Sequence, residues 1–141
     1  MSHSWLFWAL LSAAFAALTA IFAKVGVAQV NSDLATLLRT IVILAMVAAM
    51  VAAGGSWQAP GEIPRRTWMF LVLSGLATGA SWLCYFRALK LGEAARVAPV
   101  DKLSVVLVAV FGVMFLGERL SAVATLGVVL IAAGAALVAV G

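Results

Sequence analysis

This sequence has little charge. Asp, Glu, Lys and Arg make up 10% of the 141 residues, against the quarter or so usual in soluble domains. Hydrophobic residues make up 66%, and the mean hydropathy is +1.20. So little polar surface cannot clothe a water-soluble globule, and the chain is expected to be an integral membrane protein. Cys84 is the only cysteine, which excludes an intramolecular disulfide and leaves the redox compartment unread. His3 is the only histidine, and with no Cys/His cluster no metal site is expected. Neither a Ser/His pair nor a Gly-rich phosphate loop is present, no cofactor is implied, and an enzyme is not expected. The net charge of +4 and pI near 10.0 come from Lys and Arg scattered at segment ends. No basic run could track phosphates, so nucleic acid is not an expected partner.

What the chain does have is long apolar runs. A spanning helix needs about 20 predominantly apolar residues, and the sequence predicts an all-α membrane protein with five such segments: 5–27, 34–53, 67–91, 95–116 and 122–140. The first run lacks the charged start of a signal peptide and is followed by further spans, so it is expected to be retained. Asn31-Ser32-Asp33 offers capping oxygens to the second segment. Residues 54–64, rich in Gly and Pro, form the one extended loop. The links after Leu91 and Leu116 are so short that the last three segments must pack as antiparallel neighbours.

Five crossings put the termini on opposite membrane faces. On the N-terminal face, face A, lie Arg65, Arg66 and Arg119; on face B lie Lys24, Arg87, Lys90 and Arg96. Three against four is too even for the positive-inside rule to fix an orientation.

Charges inside a span are costly, by at least a few kcal/mol each. Asp101 and Lys102 lie about two turns into the fourth segment. They can be read as a headgroup-level ion pair with Lys102 snorkelling, or as part of a pathway. Arg39 lies about 8 Å along the second segment from face B, a depth comparable to that of Asp101. This permits an Arg39–Asp101 pair that leaves Lys102 to water, a headgroup or an anionic ligand. With Lys24 nearby, face B reads as a cationic vestibule.

Three segments carry aromatics and hydroxyls on one helical face. They are Trp8, Ser12, Phe15, Thr19 and Phe22; Ser74, Thr78, Ser81 and Tyr85, flanked by Trp82; and Asp101, Ser104, Val108, Phe111 and Phe115. Such a mix suits a concave small-molecule site, although Ser and Thr also serve close helix packing. The candidate pathway is therefore Trp8, Phe15, Arg39, Ser81, Trp82, Tyr85, Asp101, Lys102 and Ser104. Gly75 with Gly79, and Gly127 with Gly134, are the candidate packing faces, the second for a partner subunit. Glu118 and Arg119 are expected to cap the last turn at face A.

Phe86-Arg87-Ala88-Leu89, Gly92-Glu93-Ala94-Ala95-Arg96-Val97-Ala98-Pro99 and Phe115-Leu116-Gly117-Glu118-Arg119-Leu120-Ser121, with Gly127 and Gly134 beyond, resemble the EamA-type repeat of the drug/metabolite transporter superfamily. Ala23-Lys24-Val25-Gly26 and Leu38-Arg39-Thr40 resemble it too. The resemblance implies a single EamA-type domain over residues 1–141. Most such transporters hold two inverted repeats, with substrate at their interface; this chain holds one. The resemblance therefore implies an antiparallel homodimer in the inner membrane, contacting lipid and moving a small polar metabolite by alternating access. The alternatives it leaves open are a second protein as the other half, a subunit of a lipid-linked sugar flippase, and a non-transporting assembly subunit. The last two segments also resemble the small multidrug resistance family. Its first helix carries a glutamate eight residues before a lysine, a position held here by Ala16, counting back from Lys24.

Overall fold

A computed structural model gives the fold; it describes residues 4–141, and His3 lies outside them. Every regular element among these residues is helical. The helices are α1 (Ser4–Val27), α2 (Ser32–Ala53), α3 (Arg65–Leu91), α4 (Ala94–Asp101), α5 (Leu103–Phe115) and α6 (Ala122–Val140), with a 3-10 turn at Pro60–Glu62. Counting Ala94–Phe115 as one span, five helical segments of 19 to 27 residues are long and apolar enough to cross a membrane. In hydrocarbon a helix is one of the few ways to satisfy every backbone N–H and C=O.

The starts and stops follow from local chemistry. The Asn31 carboxamide oxygen accepts from the N–H groups of Asp33 (2.8 Å) and Leu34 (3.4 Å), opening α2. Past Ala53, Gly55 takes φ 62°, a left-handed conformation that ends the helix. Trp68 at the start of α3 donates its indole N–H to the Pro60 carbonyl at 3.2 Å, pinning the connecting loop. Gly117 takes φ 68°, the Glu118 N–H turns back to the Gly112 carbonyl at 3.1 Å, and the Ser121 hydroxyl accepts from Ala124 N–H to start α6.

The fourth span is not the single helix expected over 95–116. It breaks at Lys102 into α4 and α5. Pro99 lies inside α4 and has no N–H to give to the carbonyl four residues earlier, and its ring crowds that carbonyl. Just past it, the Lys102 N–H is shared between the carbonyls of Ala98 (3.3 Å) and Pro99 (3.1 Å), and Val105 N–H bonds back three residues to Lys102.

The chain divides into two compact units. One is Ala23–Lys90; the other comprises the residues through Phe22 together with Leu91–Gly141. In the first, the buried apolar side chains are Ala23 and Val27 of α1, Ala35 of α2, and Phe86 and Leu89 of α3. In the second, α6 packs against both α4 and α5, and the Arg96 guanidinium donates to the Ala139 carbonyl at 3.2 Å. Most other apolar side chains are exposed on the isolated chain, as expected where lipid tails replace water.

Candidate functional site

In the Ala23–Lys90 unit, the guanidinium carbon of Arg39 sits 4.2 Å from the centre of the Trp82 ring and 5.4 Å from that of Phe86. Trp82 and Phe86 are four residues apart and so share a face of α3, which lets one planar cation cover both rings. The Tyr85 ring stands edge-on to Phe86, with 6.5 Å between ring centres. Three of the candidate residues, Arg39, Trp82 and Tyr85, thus meet in one cation–aromatic cluster. Ser81, next to it in sequence, is exposed. Thr78 donates its hydroxyl to the Ser74 carbonyl at 2.9 Å, so this part of the hydroxyl stripe is satisfied within its own helix.

In the other unit, Lys102 Nζ lies 3.1 Å from an Asp101 carboxylate oxygen, with the two side chains about half and one-third exposed. The pair sits where the fourth span breaks, and Ser104 is exposed two residues further on. The carboxylate expected to pair with Arg39 thus has Lys102 as its ion-pair partner, and Arg39 lies on ring faces. Trp8 and Phe15 are exposed, and Trp8 makes an edge contact with Phe7 at 5.5 Å between ring centres.

The basic residues assigned to face B are engaged with the protein. Lys24 Nζ donates to the Leu89 carbonyl at 2.6 Å, Lys90 Nζ to the Val30 carbonyl, and Arg96 to Ala139. Arg87 grips Asp33 through two nitrogens, at 3.1 and 2.8 Å. Every basic residue assigned to face B therefore has a protein acceptor. Cations favour helix C-terminal carbonyls because those groups lack intrahelical donors and carry the negative end of the helix dipole.

A Cβ added at Gly75, Gly79, Gly127 or Gly134 would meet nothing within 4 Å.

A further feature was not expected from the sequence. A groove of about 700 Å³ runs between α5 and α6, lined by valines such as Val106, Val110, Val113 and Val128 and, at the link between the two helices, by Glu118 and Arg119. None of the nine candidate pathway residues lines it. The Glu118 carboxylate folds back over Gly112, where an added Cβ would lie 2.5 Å from its Oε2. A side-chain cap of the helix turn by Glu118 is replaced by this placement, while its backbone N–H does the capping. The i, i+4, i+7 spacing of the valines is legible in the sequence, but it is also the pattern of ordinary lipid-facing filler.

The description "EamA-like transporter family" matches residues 3–140. Over 140 residues the chain is 75% identical to a protein of Sinorhizobium sp described as an uncharacterized transporter in the cobO 3' region, with 99% of each chain covered. No solved structure matches it. With five membrane-spanning segments and a match along nearly its whole length, the chain belongs to the EamA-like transporter family and is a multi-pass membrane transporter.

Proposed function

We propose that the protein moves a small polar metabolite across the inner membrane by alternating access, as a homodimer of oppositely inserted copies. The observation that carries this reading is the broken fourth span. Discontinuous helices inside transporters free backbone groups for solute and coupling ions and mark the binding region. Here the break holds Asp101 and Lys102, whose only ion pair among the described residues is with each other. Asp101 is the one acidic residue deep in a span, so it is the candidate for proton coupling. The cluster of Arg39, Trp82 and Tyr85 offers apolar faces with polar edges, suited to orienting a solute.

Two further features support a partner of the same kind. A single repeat lacks the second half against which to rock, and the open Gly127–Gly134 face of α6 would let a second helix approach closely.

The test works whatever the solute is. Single cysteines at Ser104, Ser56 and Gly92, in a Cys84→Ala background, are challenged with an impermeant maleimide from each side of the membrane. Labelling of Ser104→Cys from both sides is expected for a pathway residue, and labelling of the two loop sites from both sides for dual insertion. Strictly one-sided loop labelling would sink the homodimer, and an unreactive Ser104→Cys would sink the pathway.

A further inference from the structure

We propose that Arg39 is the receptor for a carboxylate, and that the solute of the carrier described above is a small monocarboxylate; the substrate class rests on that carrier reading. The site lies wholly within the Ala23–Lys90 unit. Arg39 is the eighth of the 22 residues of α2, which places it about 5 Å from the middle of that helix at 1.5 Å per residue. Trp82 lies four residues, about 6 Å, from Thr78, the middle residue of the 27 in α3. The guanidinium is closer to Trp82 than to Phe86, at 4.2 against 5.4 Å, and so lies over the ring that is one turn further from the end of α3. A cation that only anchored its helix to headgroups would extend the other way, toward the helix end. Arg39 is thus held near mid-span, the level at which transporters bind solutes, and away from lipid phosphates.

That position is costly for a charge, and the rings offset the cost only in part. A ring face attracts the positive charge but gives its N–H groups no lone pair. Arg39 has neither ion pair nor hydrogen bond to any described residue, so the five guanidinium N–H donors have no protein acceptor among them. No buried side-chain nitrogen among the described residues lacks a partner, which means that the Arg39 nitrogens keep accessible surface. A fixed and reachable fork of unused donors is the complement of a carboxylate, which it holds through two parallel bonds.

The charge on offer limits the ligand to one negative unit. The other cations at this end of the unit, Lys24, Arg87 and Lys90, are engaged with the Leu89 carbonyl, the Asp33 carboxylate and the Val30 carbonyl. The neighbouring hydroxyls of α2, on Thr36 and Thr40, donate to the carbonyls of Ser32 and Thr36 at 2.9 and 2.7 Å, and have no proton left for a ligand. A phosphate monoester or a dicarboxylate would bring a second charge with nothing to meet it. A cation would be repelled, and a neutral amide would leave the guanidinium unbalanced.

The test uses the full chain, purified in detergent and treated with phenylglyoxal, which modifies guanidinium groups, with modification of Arg39 read by peptide mass spectrometry. The probes are lactate, hexanoate and benzoate, each beside its amide, together with inorganic phosphate and phosphatidylglycerol. At least one carboxylate should slow modification of Arg39 about tenfold relative to its amide, the ratio one charge-assisted contact supplies, while the exposed Arg65 and Arg66 react unchanged. The same carboxylate should raise the Tm of the wild type, and Arg39→Gln should erase that rise. Arg39→Lys, which keeps the charge without the fork, should weaken binding about tenfold at unchanged helix content by circular dichroism. Protection by none of the carboxylates, equal protection by the amides, by phosphate or by phosphatidylglycerol, or an Arg39 that phenylglyoxal does not reach in the free protein would each overturn the carboxylate site. Two-sided labelling of Ser104→Cys separates this inference from the reading it rests on. With labelling kept and Arg39 unprotected, the carrier stands and its substrate class falls; with Arg39 protected and labelling absent, the carboxylate site stands and the carrier falls.

Discussion

Replacing Arg39 by Gln removes a guanidinium that lies 4.2 Å from one ring centre and 5.4 Å from another, both inside the range of about 6 Å where a cation is drawn to an aromatic face. Such contacts contribute about 0.5–1 kcal/mol when exposed and about 2 when desolvated. Arg39 and Trp82 are half-buried and Phe86 is buried, so the two rings together should contribute about 1–2 kcal/mol. For a chain of this size that corresponds to a loss of about 3–8 °C in Tm, read by circular dichroism in detergent. The pairwise part is isolated by a double-mutant cycle of Arg39→Gln with Trp82→Leu, where contacting residues should show coupling of about 1 kcal/mol. Arg39→Lys should recover only part of it, because a compact ammonium cannot stack as a plane does. Additive single effects within about 0.3 kcal/mol would refute the contact, and the cluster would then lose its claim to orient anything.

Lys24→Met keeps the aliphatic stem but removes the donor to the carbonyl of Leu89, whose side chain is fully buried. A lost charge-assisted bond to a buried acceptor should cost about 1.5–3 kcal/mol, and an unchanged melting curve would show that water replaces the ammonium. Pro99→Ala returns a backbone donor to the fourth span; helix content by circular dichroism should rise while two-sided labelling of Ser104→Cys falls, and a variant that keeps such labelling would mean that the break is dispensable. Gly117→Ala forces a side chain into φ 68° and should destabilise the α5–α6 turn by about 1–2 kcal/mol, visible as a lower Tm; no change would mean that the turn rebuilds with another conformation.

The five spans were legible because hydropathy alone dictates them, and the Asn31 cap because its side-chain chemistry is local. Asp101 and Lys102 were legible as expensive charges. The break beside them was signalled by Pro99, whose missing N–H acts four residues back, but an apolar run of spanning length hides such a break when only length and composition are weighed. Arg39, Trp82 and Tyr85 were each picked out. Phe86 was missed, although its four-residue spacing from Trp82 puts both rings on one face. The acceptors of Lys24, Lys90 and Arg96 could not be read at all. Which carbonyl a long flexible side chain reaches is decided by how helix ends pack, and no local pattern encodes it.

That distinction sorts the charges by what they can do. Within lipid, helices gain little from burying apolar surface against one another, because the tails are as apolar as leucine. Polar contacts therefore carry a larger share of the specificity of packing. Lys24, Arg87, Lys90 and Arg96 each donate to a carbonyl or carboxylate, and a cation so committed cannot receive a solute without unmaking the contact that fixes its helix end. Among the described residues, Asp101 and Lys102 have only each other as ion-pair partners, Arg39 lies on ring faces, and Glu118 and Arg119 have neither ion pair nor side-chain hydrogen bond. An incoming ligand can engage these groups without first breaking a bond to a helix end. Arg39, Asp101 and Lys102 are thus charges within the spans that a ligand can engage, while Lys24, Arg87, Lys90 and Arg96 hold helix ends.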